Sequence, residues 1–430
     1  MDPLIEAFNN WMGTWAGRFE NKTFADGICH SIGAFGNVGV VETDEGLVLF
    51  DVASKSFGQF GFKAVREFSD KPIKYIIYSH GHTDHCLGFA PYIEEIKEKG
   101  WEMPEVIAHE NCLKRFEKYK MLYNHQHWTY FQQTAALGIK LNLETWQDIL
   151  TPTIIFRGNE NYEFKLGNCT FELYHDKGET DGSLWMFFPE KKVLFGGDLM
   201  VSSYPNIGSP FRVQRYPKDW AIAMEKMMEK NAEYMVPGHG QLIEGKDEVR
   251  EALSITAEAL YFVHDEVVKR LNEGKWFEQI YYEVLEIYPE KFKNHKYLKP
   301  IYGDIRFAIH CTYRLHHGWY NTGNPTDLFP AKSEDIAKEF LKVNSEENYF
   351  DHAKHLYEEG KLQLALHIID VVIKGTDPNN REILLDALRF KRIILKQMVK
   401  EEESFVTRGF IDSSAYQMKD QIRKLRRKKK

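Results

Sequence analysis

Hydrophobic and polar positions along this chain change their period part-way. From about residue 27 to 51, short apolar runs at 37–42 and 46–51 flank the polar turn Thr43-Asp44-Glu45-Gly46. That pattern predicts strand, turn, strand. A helix is predicted around 59–68, a buried strand at 73–78, a helix at about 88–99 and a strand at 104–109. Further strand signals follow at 153–156, 164–166, 169–174, 184–188, 192–195 and 233–236. Strands interleaved with helical segments predict an α/β layer architecture. After Gly245 the periodicity becomes almost wholly helical, with one Gly- and Asn-rich interruption at 318–325.

Three segments stand apart. Residues 111–150 are aromatic, rich in His and Gln and poor in clean periodicity, with Tyr119, Tyr123, His125, His127, Trp128, Tyr130, Phe131 and Trp146. They read equally as an insertion forming a lid and as a helical subdomain that buries its aromatics. Residues 350–398 read as amphipathic helices. Ala353, Leu356, Gly360, Ala365 and Pro378 sit there as in a tetratricopeptide-type hairpin, a single unit rather than a solenoid. Residues 416–430 end in a basic run, read as a disordered, solubilising tail.

The densest chemistry lies directly after the strand predicted at 73–78, in Ser79-His80-Gly81-His82-Thr83-Asp84-His85. Three imidazoles and a carboxylate at one strand end would repel or stay unsatisfied unless something positive organised them. A pair of divalent metals does so, since imidazole and carboxylate suit zinc and non-haem iron. His80 and His82 can grip one ion, and Asp84 and His85 a second. Two ions need more donors, and two further strand ends offer them: Asp198 in Gly196-Gly197-Asp198 and His239 in Gly238-His239-Gly240.

Composition narrows the class. A chain of 430 residues exceeds the usual single-core limit, so two or three domains are expected. The hydrophobic content of 43% supports sizeable cores. A net charge of −7 gives no reason to expect nucleic acid or an anionic membrane as partner. No run of about 18 apolar residues exists, so no transmembrane helix is expected, and no signal peptide is visible at the start. Five scattered cysteines without a CxxC pair fit reduced thiols and a cytoplasmic location. Cys86 reads as a small packing residue rather than a ligand.

In this order, His80, His82, Asp84, His85, Asp198 and His239 resemble the metallo-β-lactamase-fold hydrolases. That family places a histidine between the first motif and the bridging aspartate. Here Gly178-Glu179-Thr180-Asp181-Gly182 offers Glu179 instead, which resembles the alkylsulfatase branch. The helical half agrees: 315–325 resembles that branch's GWFDGNP segment, and 350–398 and 403–409 resemble its dimerisation domain. Two features depart. The C-terminal sterol-carrier-like domain of secreted alkylsulfatases is absent, and Asp198 replaces a second glutamate; both weaken the case for long-chain alkyl sulfates.

The resemblance implies an αββα sandwich over 1–245, a helical dimerisation domain over 246–415 and the tail beyond. It implies two zinc ions per chain, with iron as the alternative metal. His80, His82 and Glu179 would hold one ion, and Asp84, His85 and His239 the other, with Asp198 and a water or hydroxide bridging them. The implied reaction is hydrolysis of a sulfate ester or similar small ester by that hydroxide. Alternatives are a lactonase, thioesterase or phosphodiesterase, or a di-iron or iron redox enzyme, because fold does not fix substrate. The implied partners are a small ester and a second copy of the chain.

A guanidinium suits an anionic ester because its planar fork binds sulfate oxygens in pairs. Arg212 is the candidate ahead of Arg215, with Asn206 either a substrate contact or a turn residue. His316 and His317 are proton-donor candidates, with a packed or exposed histidine the favoured reading of each. Asp51 reads either as a carboxylate orienting a ligand histidine or as a turn cap.

Overall fold

The computed structural model describes residues 20–134, 149–158, 161–212 and 214–427. Trp146, with the second half of the expected insertion, lies outside the described residues. Seven strands form the first sheet, in chain order: β1 (Asn21–Phe24), β2 (Cys29–Ile32), β3 (Val38–Glu42), β4 (Leu47–Phe50), β5 (Ile73–Ile77), β6 (Glu105–His109) and β7 (Ile154–Phe156). Pairing is antiparallel from β1 to β4 and parallel from β4 to β7. The change follows from the connections. Thr43 N–H bonds the Gly46 carbonyl at 2.9 Å to close the β3–β4 turn, whereas β4 reaches β5 through helix α1 (Lys55–Phe68), as a parallel crossover requires.

The second sheet holds β8 (Tyr162–Leu166), β9 (Cys169–His175), β10 (Leu184–Phe188), β11 (Val193–Val201), β12 (Tyr234–His239) and β13 (Ile243–Glu244). Only β11 and β12 run parallel, joined through α6, which is described below. Phe50 and Ile77 from the first sheet share one apolar cluster with Phe171, Phe195 and Val236 from the second. The far face of the second sheet sets Trp185 and Met200 against Trp220, Met224 and Leu260 of the helices that follow.

Short helices extend the first sheet's connections: α2 (Thr83–Cys86), α3 (Ala90–Lys99), α4 (Glu110–Met121) and α5 (Tyr123–Thr134). After β11 come α6 (Pro217–Glu229), α7 (Lys246–Asn272), α8 (Phe277–Glu286), α9 (Glu290–Lys293) and α10 (Ile305–His316). Trp220 of α6 is fully buried, and its indole N–H donates to the Leu199 carbonyl at 2.7 Å. This fixes the helix against β11; truncation of such a side chain costs about 3–5 kcal/mol.

The described residues fall into two compact units, one running to 127 and then from 149 to 319, the other combining 128–134 with 320–427. The division therefore lies at 319/320, beyond the boundary expected at 245/246. The second unit contains α11 (Pro325–Leu328), α12 (Ser333–Val343), α13 (Glu346–Glu358), α14 (Leu362–Gly375), α15 (Arg381–Glu401) and α16 (Phe405–Arg427). Ala353, Leu356, Ala365, Ile369, Ala387 and Ile394 pack together from α13, α14 and α15, on the periodicity read from the sequence. The boundary expected at 415/416 falls inside α16, so the basic segment is helical as far as Arg427.

Candidate metal centre

β5 lies between β4 and β6, so Ser79–His85 leaves the carboxyl end of an interior parallel strand, the usual location of ligand sites in such sheets. Asp198 lies within β11, His239 ends β12, and Glu179 sits in the loop from β9 to β10. Glycine lets these segments meet. A Cβ at Gly238 would overlap Asp198 Oδ1 and lie 2.5 Å from the Gly197 carbonyl carbon. Gly197 has φ +51°, and a Cβ there would meet Ser79 Cβ at 2.5 Å. Asn37 clamps the last turn, its side-chain amide donating to the carbonyls of Pro237 at 2.9 Å and Gly240 at 2.8 Å.

All seven predicted donors converge, in two groups able to hold an ion: His80, His82, Glu179 and Asp198, then Asp84, His85 and His239. Asp198 turns one oxygen to each. Its Oδ2 lies 3.7 Å from His80 Nε2, while Oδ1 lies 3.2 Å from His85 Nε2 and 3.3 Å from His239 Nε2. Glu179 Oε2 stands 3.2 Å from His82 Nδ1 and 3.6 Å from His80 Nε2; Asp84 Oδ2 stands 3.4 Å from His239 Nε2. Donors held tetrahedrally at zinc distances are about 3.3–3.4 Å apart. His80 Nε2 and His82 Nδ1 are markedly closer, at 2.8 Å.

Three atoms facing this space, His85 Nε2, Glu179 Oε2 and Asp198 Oδ1, are buried with no hydrogen-bond partner among the described residues. Orphaned buried polar atoms are costly, and divalent ions would satisfy them. Four carboxylates (Asp51, Asp84, Glu179, Asp198), all but the half-buried Asp84 buried, and the Arg215 guanidinium sum to three negative charges when the histidines act as neutral ligands. Two divalent ions would convert that to one positive charge, which suits an anion. The residues present therefore fit a two-ion centre.

The surrounding groups prepare the donors. Asp51, with φ +65°, is 1% exposed. Its Oδ2 accepts from His85 Nδ1 at 2.7 Å and from the Ser79 hydroxyl at 2.6 Å, and its Oδ1 accepts from Ser79 N–H at 2.7 Å. Ser79 Oγ in turn lies 2.9 Å from His80 Nδ1. One carboxylate thus orients a histidine of each group, which fixes the nitrogen offered to an ion. Cys86 donates its thiol to the His80 carbonyl at 2.9 Å, and burial pushes that thiol well above its usual range. It is a packing residue.

Electrostatics separate the two groups. Burial, with His85 beside the first and His80 beside the second, holds His80 and His82 well below the usual imidazole value, so both stay neutral. Burial opposes charge on His85 and His239 too, but Asp198 and its neighbouring carboxylates prevail, raising His85 well above its usual value and His239 to about 9. Burial raises Glu179, and Arg215 offsets part of that rise. Arg215, itself buried, pairs with Glu179 Oε1 and donates to the Glu179 carbonyl.

Arg212 and Arg215 line a small cavity together with His82, Arg115, Lys118 and Tyr119. Asn206 is buried, and its Oδ1 accepts from Gly208 N–H at 3.3 Å. Tyr302, not foreseen from the sequence, hydrogen-bonds the Asn206 side chain and lies tilted against His239 with ring centroids 6.4 Å apart. Burial and the nearby Glu179 and Asp198 raise its hydroxyl, keeping it a protonated donor. No local pattern marks that tyrosine. His316 lies 3.3 Å from His264, and His317 packs on Trp276 and Tyr313; neither lines the cavity beside His82.

Comparison with known proteins matches residues 32–239 to the metallo-beta-lactamase superfamily and 276–421 to the alkyl sulfatase dimerisation family. The chain carries a metallo-beta-lactamase superfamily region and an alkyl sulfatase dimerisation region. It is 24% identical over 376 residues to a linear primary-alkylsulfatase of a Pseudomonas species, covering 82% of this chain and 69% of the relative. It is 21% identical over 385 residues to the alkyl/aryl-sulfatase BDS1 of Saccharomyces cerevisiae, covering 82% and 57%. The solved inverting sec-alkylsulfatase Pisa1 from Pseudomonas superposes with a TM-score of 0.78 at 19% identity, over 91% of this chain and 64% of that one. The chain thus spans roughly three-fifths to two-thirds of these relatives' lengths.

Proposed function

We propose that this protein is a dinuclear metal-dependent hydrolase of small sulfate esters, with zinc as its metal and iron as the alternative. The observation that carries this reading is Asp198, whose two carboxylate oxygens face two separate His- and carboxylate-containing groups. His80, His82 and Glu179 would hold one ion, Asp84, His85 and His239 the other, and Asp198 both. Ions there would acidify a bound water and polarise the ester's leaving oxygen. The alkylsulfatase relatives supply the substrate class.

The chain's own residues would do the rest. Arg212, lining the cavity beside His82, would pair with two sulfate oxygens. Asn206 and the Tyr302 hydroxyl bonded to it would orient the ester. Asp51 would hold His85 directly, and His80 through Ser79. Arg215 would balance Glu179, so that the first group carries little more negative charge than an all-histidine set.

We assign the match at 276–421 the role of a homodimer contact. Ile336, Phe340 and Val343 support it: they recur at helical spacing on α12 and are 41%, 49% and 85% exposed. Light scattering on the full chain should give twice 50.4 kDa; a monomer contradicts the assignment. Five free cysteines support a reducing, cytoplasmic setting. Among the described residues no helix is long and apolar enough to cross a membrane.

The test is sulfate release from butyl and phenyl sulfate, followed by ion chromatography on zinc-loaded protein. Release that chelator abolishes and zinc restores is expected. Hydrolysis of a lactone or phosphodiester without sulfate release would move the protein to another hydrolase class.

A further inference from the structure

A second, larger cavity of about 850 Å³ adjoins the centre. Arg115, Lys118 and Arg212 line both it and the small cavity that includes His82. Lys114 and Arg314 add two more cations to its wall, against a single acid, Asp181. That acid is already engaged, accepting from Arg115 at 2.8 Å. Pro210, Tyr216, Phe307 and Cys311 give the cavity a sizeable apolar wall beside these cations.

A row of cations on a helix is often just a solvated face. Lys114 fits that description, at 65% side-chain exposure. The others do not. Arg115 is only 13% exposed, and Arg314 Nη1 is buried with no hydrogen-bond partner among the described residues. Burial and the nearby Arg115 lower the Lys118 ammonium from its usual value. Cations gathered around a concave space repel one another and lose part of their hydration. An anion entering that space would be attracted more strongly than at an open surface. A plain alkyl chain could rest on the apolar wall but would leave these charges desolvated and uncompensated.

We infer that the substrate carries a second anionic group, remote from the scissile ester, and that Lys118 and Arg314 receive it in this chamber. The inference rests on the sulfate-ester reading for the scissile end but is tested by binding alone. Stable sulfonates serve as probes: 4-sulfobenzoate, a dianion, and 4-methylbenzenesulfonate, which has a methyl in place of the carboxylate. Calorimetric titration of the zinc-loaded full chain at low salt should show the dianion binding about tenfold tighter. That advantage should shrink with added salt, and several-fold in Lys118→Met and Arg314→Met proteins of native circular dichroism and metal content. Equal affinities, tighter binding of the methyl compound, or binding of neither would overturn the inference. Cleavage of simple alkyl sulfates with no dianion preference would leave the proposed function standing and the inference refuted. A dianion preference without any sulfate release would do the reverse.

Discussion

The guanidinium of Arg215 pairs with the Glu179 carboxylate and also binds that residue's backbone carbonyl, both groups being buried. The sequence resemblance sets Glu179 where metallo-β-lactamase-fold hydrolases carry a neutral histidine, and the arginine supplies the positive charge that a buried glutamate requires. Removing one partner of a buried ion pair costs about 3–5 kcal/mol, because the other is left uncompensated. Arg215→Met should therefore lower both the melting temperature and the metal content. Glu179→His alone should also destabilise, by stranding Arg215. The double variant Glu179→His, Arg215→Met should recover part of both losses, with a coupling of at least about 1 kcal/mol. Additive losses in melting temperature and metal content would show that the two residues do not act as a pair.

Asp51 bonds Ser79 and His85 at once. Asp51→Asn keeps the shape but weakens acceptance from both. Loss of such an outer partner typically costs 10- to 100-fold in metal affinity. Competition against a fluorescent chelator should show a drop of that order; unchanged affinity would reduce Asp51 to a turn residue.

Gly238 has no room for a methyl group beside Asp198. Gly238→Ala should displace the Asp198 carboxylate and deplete both ions together. Measured metal content should fall toward zero rather than to one per chain. Retention of a full complement would contradict the placement of Asp198 between the two groups.

Burial lowers the His30 imidazole to about 4, where it sits 2.9 Å from Thr23 Oγ1 and stacks on Phe68 at 4.8 Å. An unfolded histidine titrates near 6.5. Between about pH 6.5 and 4 the unfolded chain therefore binds a proton that the folded chain does not. Stability rises with pH across that window and is lost as pH falls through it. Melting temperatures over this range should fall less steeply for His30→Phe than for wild type; parallel slopes would remove His30 from the acid response.

Much of the centre was legible because its donors are local. His80, His82, Asp84 and His85 fall within six positions, and glycines beside Asp198 and His239 mark the segments that approach them, although Asp198 lies within β11 rather than at the strand end expected of it. The strands from β3 to β12 were legible for the same reason, since each carries its own apolar run. What was not legible depends on pairing across the fold. Arg215 meets Glu179 over 36 residues of sequence, and Tyr302 reaches the site from the loop before α10, with no motif. The 246–316 helices read as part of the second domain because periodicity records a buried face but not its partner. Leu260 in fact packs with Trp220 and Trp185 of the first unit. Residues 110–134 showed no clean period, yet α4 and α5 form there, with α4 placing Arg115 and Lys118 in the cavity walls.

The most direct test of the account is the number of metal ions per chain, counted by plasma emission spectrometry on protein purified without chelator. Two ions per chain in wild type, with loss of both in Asp198→Ala, are predicted. One ion or none in active wild-type protein, or two still bound in Asp198→Ala, would contradict a centre built around that carboxylate.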